Sequence, residues 1–109
     1  MQAVLNYPKI AVIRPQGCLN AANALELERD MATALAQNGI STLVVDLAAV
    51  ESLDSAGLMA LLSTHKLALT LGRSCQLCAV APQIRMIFEL TQLDRVFEIL
   101  DAEAKLAQT

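Results

Sequence analysis

Thr42-Leu43-Val44-Val45-Asp46-Leu47, then Asp54-Ser55-Ala56-Gly57, then an apolar run from Leu58 to Leu71: this stretch decides the fold. The first segment is short, apolar and rich in β-branched residues, which reads as a buried strand. The run after Gly57 holds no Pro or Gly until Gly72 and reads as a helix. Ser55 therefore falls where a helix begins, with Asp54 or Ser52 available as its cap. A helix start carries free backbone N–H groups and the positive end of the helix dipole. Such a place suits a phosphate. The reading expected of Ser55 is a phosphorylatable serine on a small switch domain.

Working outward, Val4 to Tyr7 and Ile10 to Arg14 read as two strands turned at Pro8-Lys9, a hairpin by their close spacing. Gly17 ends that unit. Asn20 or Asn23 can cap a helix running to about Asn38. Ala24, Leu27, Met31 and Leu35 fall at helical spacing and should face the core, with Glu26, Arg29, Asp30 and Thr33 outside. Asn38-Gly39 supplies a stop. After the strand to Leu47, Ala48 to Leu53 reads as a loop. Gly72 closes the next helix, Cys75 to Val80 is a strand, and Pro82 suits the first turn of a helix to Leu90. Asp94 to Ile99 reads as a last strand and Asp101 to Ala107 as a last helix. Strands alternating with helices imply an α/β fold, with a mixed, mainly parallel sheet of about five strands and crossover helices. Residues 1–109 are expected to form one domain.

Composition narrows the function. Of 109 residues, 55% are hydrophobic and 17% charged, which is too apolar for a disordered chain. The net charge is −3 and no basic cluster exists, so nucleic-acid binding is not expected. Tyr7, Phe88 and Phe97 are the only aromatics, too few for base stacking. No apolar run reaches the roughly 20 residues of a membrane span, and no signal peptide is visible. A cytoplasmic protein without membrane insertion is the expectation. Cys18, Cys75 and Cys78 are an odd number, which argues against a disulfide framework. The C-x-x-C of Cys75 and Cys78 lies in a predicted strand, where positions three apart face opposite ways. Ordinary buried thiols are expected there, with no metal and no cofactor.

Along the chain, Gly17-Cys18-Leu19-Asn20, Val44-Val45-Asp46-Leu47, Leu53-Asp54-Ser55-Ala56-Gly57-Leu58 and the pattern Pro82, Ile84-Arg85, Ile87-Phe88, Leu93, Phe97 come in a telling order. In that order they resemble the STAS domain family, and within it the bacterial anti-sigma factor antagonists. The resemblance covers nearly the whole chain. It implies that Ser55 is the phosphoserine and Asp54 the aspartate beside it. It also implies a partner-binding rim of Asn20, Asp54, Ser55, Ala56, Gly57 and Leu58. Asn20 stands where an aspartate is usual, which removes one charge from that rim. The family's antagonists bind an anti-sigma factor that is also a serine kinase, and so free a sigma factor. Phosphorylation by the kinase expels the antagonist, and a metal-dependent serine/threonine phosphatase resets it.

Several readings compete at single residues. Gly57 serves either close approach of a partner or tight packing of helix on strand. His65 lies ten residues after Ser55, about 15 Å along a helix, and cannot act as its base. It shares a helical face with Leu58, Leu61, Leu62 and Leu69 and is expected to face the core. No G-x-S-x-G elbow is present, so a serine hydrolase, or any enzyme, is not expected. Ala60, Leu67 and Leu71 form a second apolar line, which reads as a contact surface for a partner or for a second copy in a homodimer. A STAS regulatory subunit of a membrane transport system is the alternative function. A response-regulator receiver would need an acidic pair after its first strand, and Ile13-Arg14-Pro15-Gln16 offers none.

Overall fold

A computed structural model describes residues 9–100, and all structural statements concern these. The N-terminal half of the expected hairpin and the expected helix over 101–107 lie outside them. Strand β1 (Lys9–Ile13) and strand β2 (Gly17–Leu19) lead into helix α1 (Ala24–Leu35). Strand β3 (Ile40–Asp46) and strand β4 (Val50–Leu53) lead into helix α2 (Ser55–Thr70). Strand β5 (Ser74–Cys78) is followed by helix α3 (Pro82–Leu90), a 3₁₀ turn over Leu93–Arg95 and strand β6 (Glu98–Leu100).

Four strands form one sheet in the order β1-β3-β5-β6, and every described pair is parallel. The order advances in one direction, so right-handed crossovers carry all three helices to one face. Ala11, Ile13, Leu43, Val45, Cys75 and Leu77 point to that face and join the main core with Leu27, Met31, Leu35, Leu58, Leu61, Ile84 and Phe88. Leu27, Met31 and Leu35 are buried as their spacing requires, and Ala24 packs beside them. Cys78 is fully buried but outside this core, whereas Cys75 belongs to it, as opposite strand faces demand.

Two strands were not visible in the sequence. Val50–Leu53 lies in the segment read as a loop, and Gly17, read as a terminator, instead begins β2. β2 and β4 pair in parallel as a separate two-stranded sheet, with Cys18 opposite Ser52 and Leu19 opposite Leu53. They are three and four residues long, and each is completed by a partner over thirty residues away. No local periodicity can show such a pair. The last strand is also shifted. Leu93–Arg95 makes a 3₁₀ turn behind Gln92 at φ 62°, and pairing starts only at Glu98.

Helix α1 stops at Leu35, short of Asn38, and carbonyls at its end are bound from another element. The guanidinium of Arg73, between α2 and β5, donates from Nη1 to the carbonyl oxygens of Leu35 and Gln37. A cation on the last carbonyls also complements the helix dipole. Arg73 itself is placed by the turn that ends α2, where its N–H donates to the Ala68 carbonyl at 2.8 Å and Gly72 takes φ 72°. Arg73→Met should therefore loosen the α1 end and cost about 1–2 kcal/mol, as charged hydrogen bonds to carbonyls are lost. Urea denaturation of the two proteins measures this. An unchanged midpoint would show that Arg73 does not hold α1.

Candidate functional site

The site grows from the end of β4. Leu53 points into the core, and the next residue, Asp54, leaves the strand with φ −100° and ψ −172°. That is N-cap backbone geometry, from which a short side chain reaches the next two free N–H groups. Asp54 Oδ1 accepts from Ala56 N–H at 2.9 Å and from Gly57 N–H at 3.1 Å. The Leu58 N–H donates to the Asp54 carbonyl at 2.9 Å and starts the helical ladder. Of the two expected caps, Asp54 is the one in use. Ser52 lies within β4.

A second helix start lies alongside. β2 ends at Leu19, opposite Leu53, so Asn20 follows β2 as Asp54 follows β4. The two ends are joined directly, since the Asp54 N–H donates to the Leu19 carbonyl at 3.1 Å. The turn into α1 is made by two asparagines. Asn20 Oδ1 accepts from Ala22 N–H at 2.9 Å, and Asn23 Oδ1 accepts from Asn20 N–H at 3.0 Å. Asn23 Nδ2 donates to the Cys18 carbonyl at 2.7 Å. Asn23 holds the N-cap position of α1 but makes no side-chain cap bond, so both asparagines build the turn instead.

Gly57 locks these parts together. A Cβ there would lie 2.6 Å from the Leu19 carbonyl oxygen, 2.8 Å from Leu19 Cβ and 2.9 Å from Leu53 Cδ1. The packing reading of Gly57 therefore accounts for the residue. Gly57 and Leu58, read as part of the binding rim, are buried beneath it. Gly57 sits against Leu19 and Leu53, and Leu58 joins the core. Asp54 and Ser55 are exposed, and Asn20 and Ala56 half-buried, so four of the six rim residues reach solvent. Ser55 is the first residue of α2, and among the described residues its hydroxyl has no hydrogen-bond partner. One expectation needs correcting. The N–H groups thought free for a phosphate are occupied, because Asp54 holds those of Ala56 and Gly57.

The remaining candidates separate cleanly. Of the apolar line Ala60, Leu67 and Leu71, Ala60 is buried and Leu67 packs on the core, and only Leu71 is exposed. Helix α2 is covered on both sides, by the sheet and by α1. Its outer face instead exposes Met59 (55%) and Leu69 (62%), and these share the Ser55 side by helical angle. Leu69, grouped with His65 as core-facing, is thus at the surface. His65 is half-buried against Phe97, ring centres 5.3 Å apart, and Phe97 in turn packs edge-on to Phe88 at 5.6 Å. Beyond Leu19, a shallow hollow of about 150 Å³ opens between Pro15-Gln16 and α1, edged by Glu26 and Asp30. Behind the site, Asp46 is buried at the end of β3, where it accepts from Arg14 Nε at 3.1 Å and from Ala48 N–H at 2.9 Å. Among the described residues, no three His, Cys, Asp or Glu side chains are placed to hold a metal, and no helix is long and apolar enough to cross a membrane.

Sequence reasoning missed the β2–β4 pair that supports the site. One signal was available. Leu19-Asn20 and Leu53-Asp54 repeat the same leucine-then-capping-residue step at two helix starts.

Comparison with known proteins agrees with this geometry. Residues 2–106 match the model of the STAS domain, and the chain belongs to that family. A relative from Bordetella bronchiseptica, named "Putative anti-sigma factor antagonist BtrV", is 30% identical over 92 residues, covering 84% of this chain and 78% of the relative. The crystal structure of an anti-sigma factor antagonist from Mycobacterium paratuberculosis is 31% identical, with a TM-score of 0.72, and covers 83% of this chain and 75% of its own. The fold recurs in TM1081 from Thermotoga maritima, at a TM-score of 0.80 and 22% identity, over 98% of this chain and 89% of that one.

Two predictions follow from the site. Gly57→Ala places a methyl group against backbone that cannot move aside, and should cost about 1–3 kcal/mol despite the better helix propensity of Ala. Chemical denaturation tests this, and a stabilised variant would refute the contact. The thiols should differ sharply. Burial pushes the Cys75 thiol up to about 12, and burial together with the Asp46 charge raises that of Cys78, against a smaller opposing effect of Arg14. Cys18 is exposed. A disulfide reagent at pH 8 should modify Cys18 at once, and the other two only as the protein unfolds.

Proposed function

We propose that this chain is a phosphorylation-controlled anti-sigma factor antagonist, which binds an anti-sigma factor serine kinase through the Asn20–Asp54–Ser55–Ala56 rim. The observation that carries the reading is the Ser55 hydroxyl, exposed on the first residue of α2 while Asp54 does the capping. A serine needed as the cap would be committed to the backbone. This one is free to be modified. Likeness to relatives named anti-sigma factor antagonists, at 30% and 31% identity, supports the same reading.

The chemistry is a phosphoryl transfer. Ser55 Oγ attacks the γ-phosphorus of a kinase-bound ATP, the bond to the β-phosphate oxygen breaks, ADP leaves, and the hydroxyl proton passes to a base or to solvent. The product carries about −1.5 to −2 additional charge at neutral pH. That charge appears beside Asp54, on a chain of net charge −3. A docking partner that accepts the neutral serine meets a dense anion after transfer, and mismatched charge at an interface costs several kcal/mol. The exposed Met59 and Leu69 supply apolar contact on the same flank of α2. A serine/threonine phosphatase that hydrolyses the ester restores the hydroxyl and the affinity.

The variants separate binding from switching. Ser55→Ala removes no hydrogen bond among the described residues and should fold with unchanged stability, within about 0.5 kcal/mol. It should bind the kinase and resist modification. Ser55→Asp should fold and bind at least tenfold more weakly, the equivalent of about 1.4 kcal/mol. Calorimetric titration of each protein into the kinase reads this out. Equal affinity for all three would remove Ser55 from the switch. Capture of a transporter subunit instead of a kinase from the native cell would point to the transport-regulator reading.

A further inference from the structure

The Asp54 cap bears on where a phosphate on Ser55 can go. A helix offers four N–H groups at its start, here those of Asp54, Ser55, Ala56 and Gly57. Three are committed. Asp54 Oδ1 accepts from Ala56 and Gly57, and the Asp54 N–H donates to the Leu19 carbonyl, which leaves only the N–H of Ser55. The cap is itself anchored, because the Asp54 N–H is bonded to the Leu19 carbonyl and Gly57 is wedged against Leu19 and Leu53. A side chain on the first helical residue also leans toward the helix start, but the Ala56 and Gly57 donors it would meet there are already held by the Asp54 carboxylate. The helix terminus, ordinarily a binding place for anions, is already filled by a carboxylate of the same chain.

We infer that Asp54 is a positioning residue that closes the start of α2 to the phosphoryl group, so that a phosphate on Ser55 is held outward in solvent instead of being absorbed by the helix. This rests on the reading of Ser55 as the modified residue and adds how the modification is displayed. An absorbed phosphate would be masked from a partner and from a phosphatase. An outward one is presented to both. Asp54 thus has two effects: it orders the helix in the unmodified protein, and it keeps the switch legible in the modified one.

The test needs no kinase, so its outcome is independent of whether one exists for this chain. Full-length protein with phosphoserine at position 55 is made by co-translational incorporation, alone and with Asp54→Asn. Asn is an equally favoured cap, and Asp54→Ser is the alternative if the first variant fails to fold. The charged side chains on elements packed against α2 are Glu51 of β4 and Glu26, Glu28, Arg29 and Asp30 of α1. All are retained in every protein, so the comparison isolates Asp54. Phosphorus and amide-proton NMR are followed from pH 4.5 to 8.5. With Asp54 present, the Ala56 and Gly57 amide protons should not follow the titration of the phosphate. The phosphate should titrate about half a pH unit higher than in Asp54→Asn, as expected of two anions a few ångströms apart near water. If the Ala56 and Gly57 protons move with the phosphate in the Asp54 protein, or if both proteins titrate alike, the inference is wrong.

Discussion

Gly57 touches Leu19 and Leu53 with no room for a methyl group, and the rest of the site depends on that contact. It fixes how closely α2 approaches the β2–β4 pair. That approach sets the Leu19 carbonyl within reach of the Asp54 N–H, and it orients Asp54 so that its carboxylate meets the first turn of α2. Ser55 is then the first residue outside the packed region. Its exposure follows from the burial of its neighbours two and three positions on. A small displacement of α2 from the strand pair would weaken the packing, the backbone bond and the cap together.

The wider fold makes this corner stiff. Three crossovers in one direction place every helix on the same sheet face, and the core between them is continuous from Leu27 and Met31 to Phe88 and Phe97. The starts of all three helices gather at the carboxyl ends of the strands, where loops are free to carry function while the sheet stays fixed. α2 is braced by the sheet and α1, and α1 is held at its far end by Arg73. The segment before Ser55 is a paired strand, not a loop. A modification here has little slack to exploit. In the proposed function it would act through charge at the surface, on a scale of several kcal/mol at an interface against about 1 kcal/mol for a cap within the domain.

The sequence showed the parts governed by local pattern. The strand around Val44-Val45, the core stripe of α1, Pro82 opening α3 and the helix start at Asp54-Ser55 all follow from residue type and spacing. What escaped it depends on distant partners. β2 and β4 are too short to show a period and exist because they pair with each other across the fold. The carbonyls at the end of α1 are bound by Arg73, thirty-eight residues beyond Leu35. Gly57 was ambiguous because glycine permits close approach by anything, and only the structure shows that Leu19 fills the space. The apolar line on α2 was misplaced because a helix covered on two sides has little amphipathic contrast. Ala60 and Leu67 turned inward, and Met59 and Leu69 were left outside with Leu71. The role proposed for Ser55 rests on resemblance to the STAS family more than on chemistry, since a serine at a helix start is ordinarily a cap.

The central claim is that Ser55 stands on a rigid, pre-capped helix start whose frame does not change when the residue is modified. Amide hydrogen exchange at Leu43 to Leu47, Asp54 and Gly57, before and after phosphorylation of Ser55, tests it most directly. The account predicts strong protection at these amides in both states, with opening free energies near that of global unfolding. Loss of protection along Leu43 to Leu47 or at Asp54 in the phosphorylated protein would contradict it, because the switch would then lie in the fold and not at its surface.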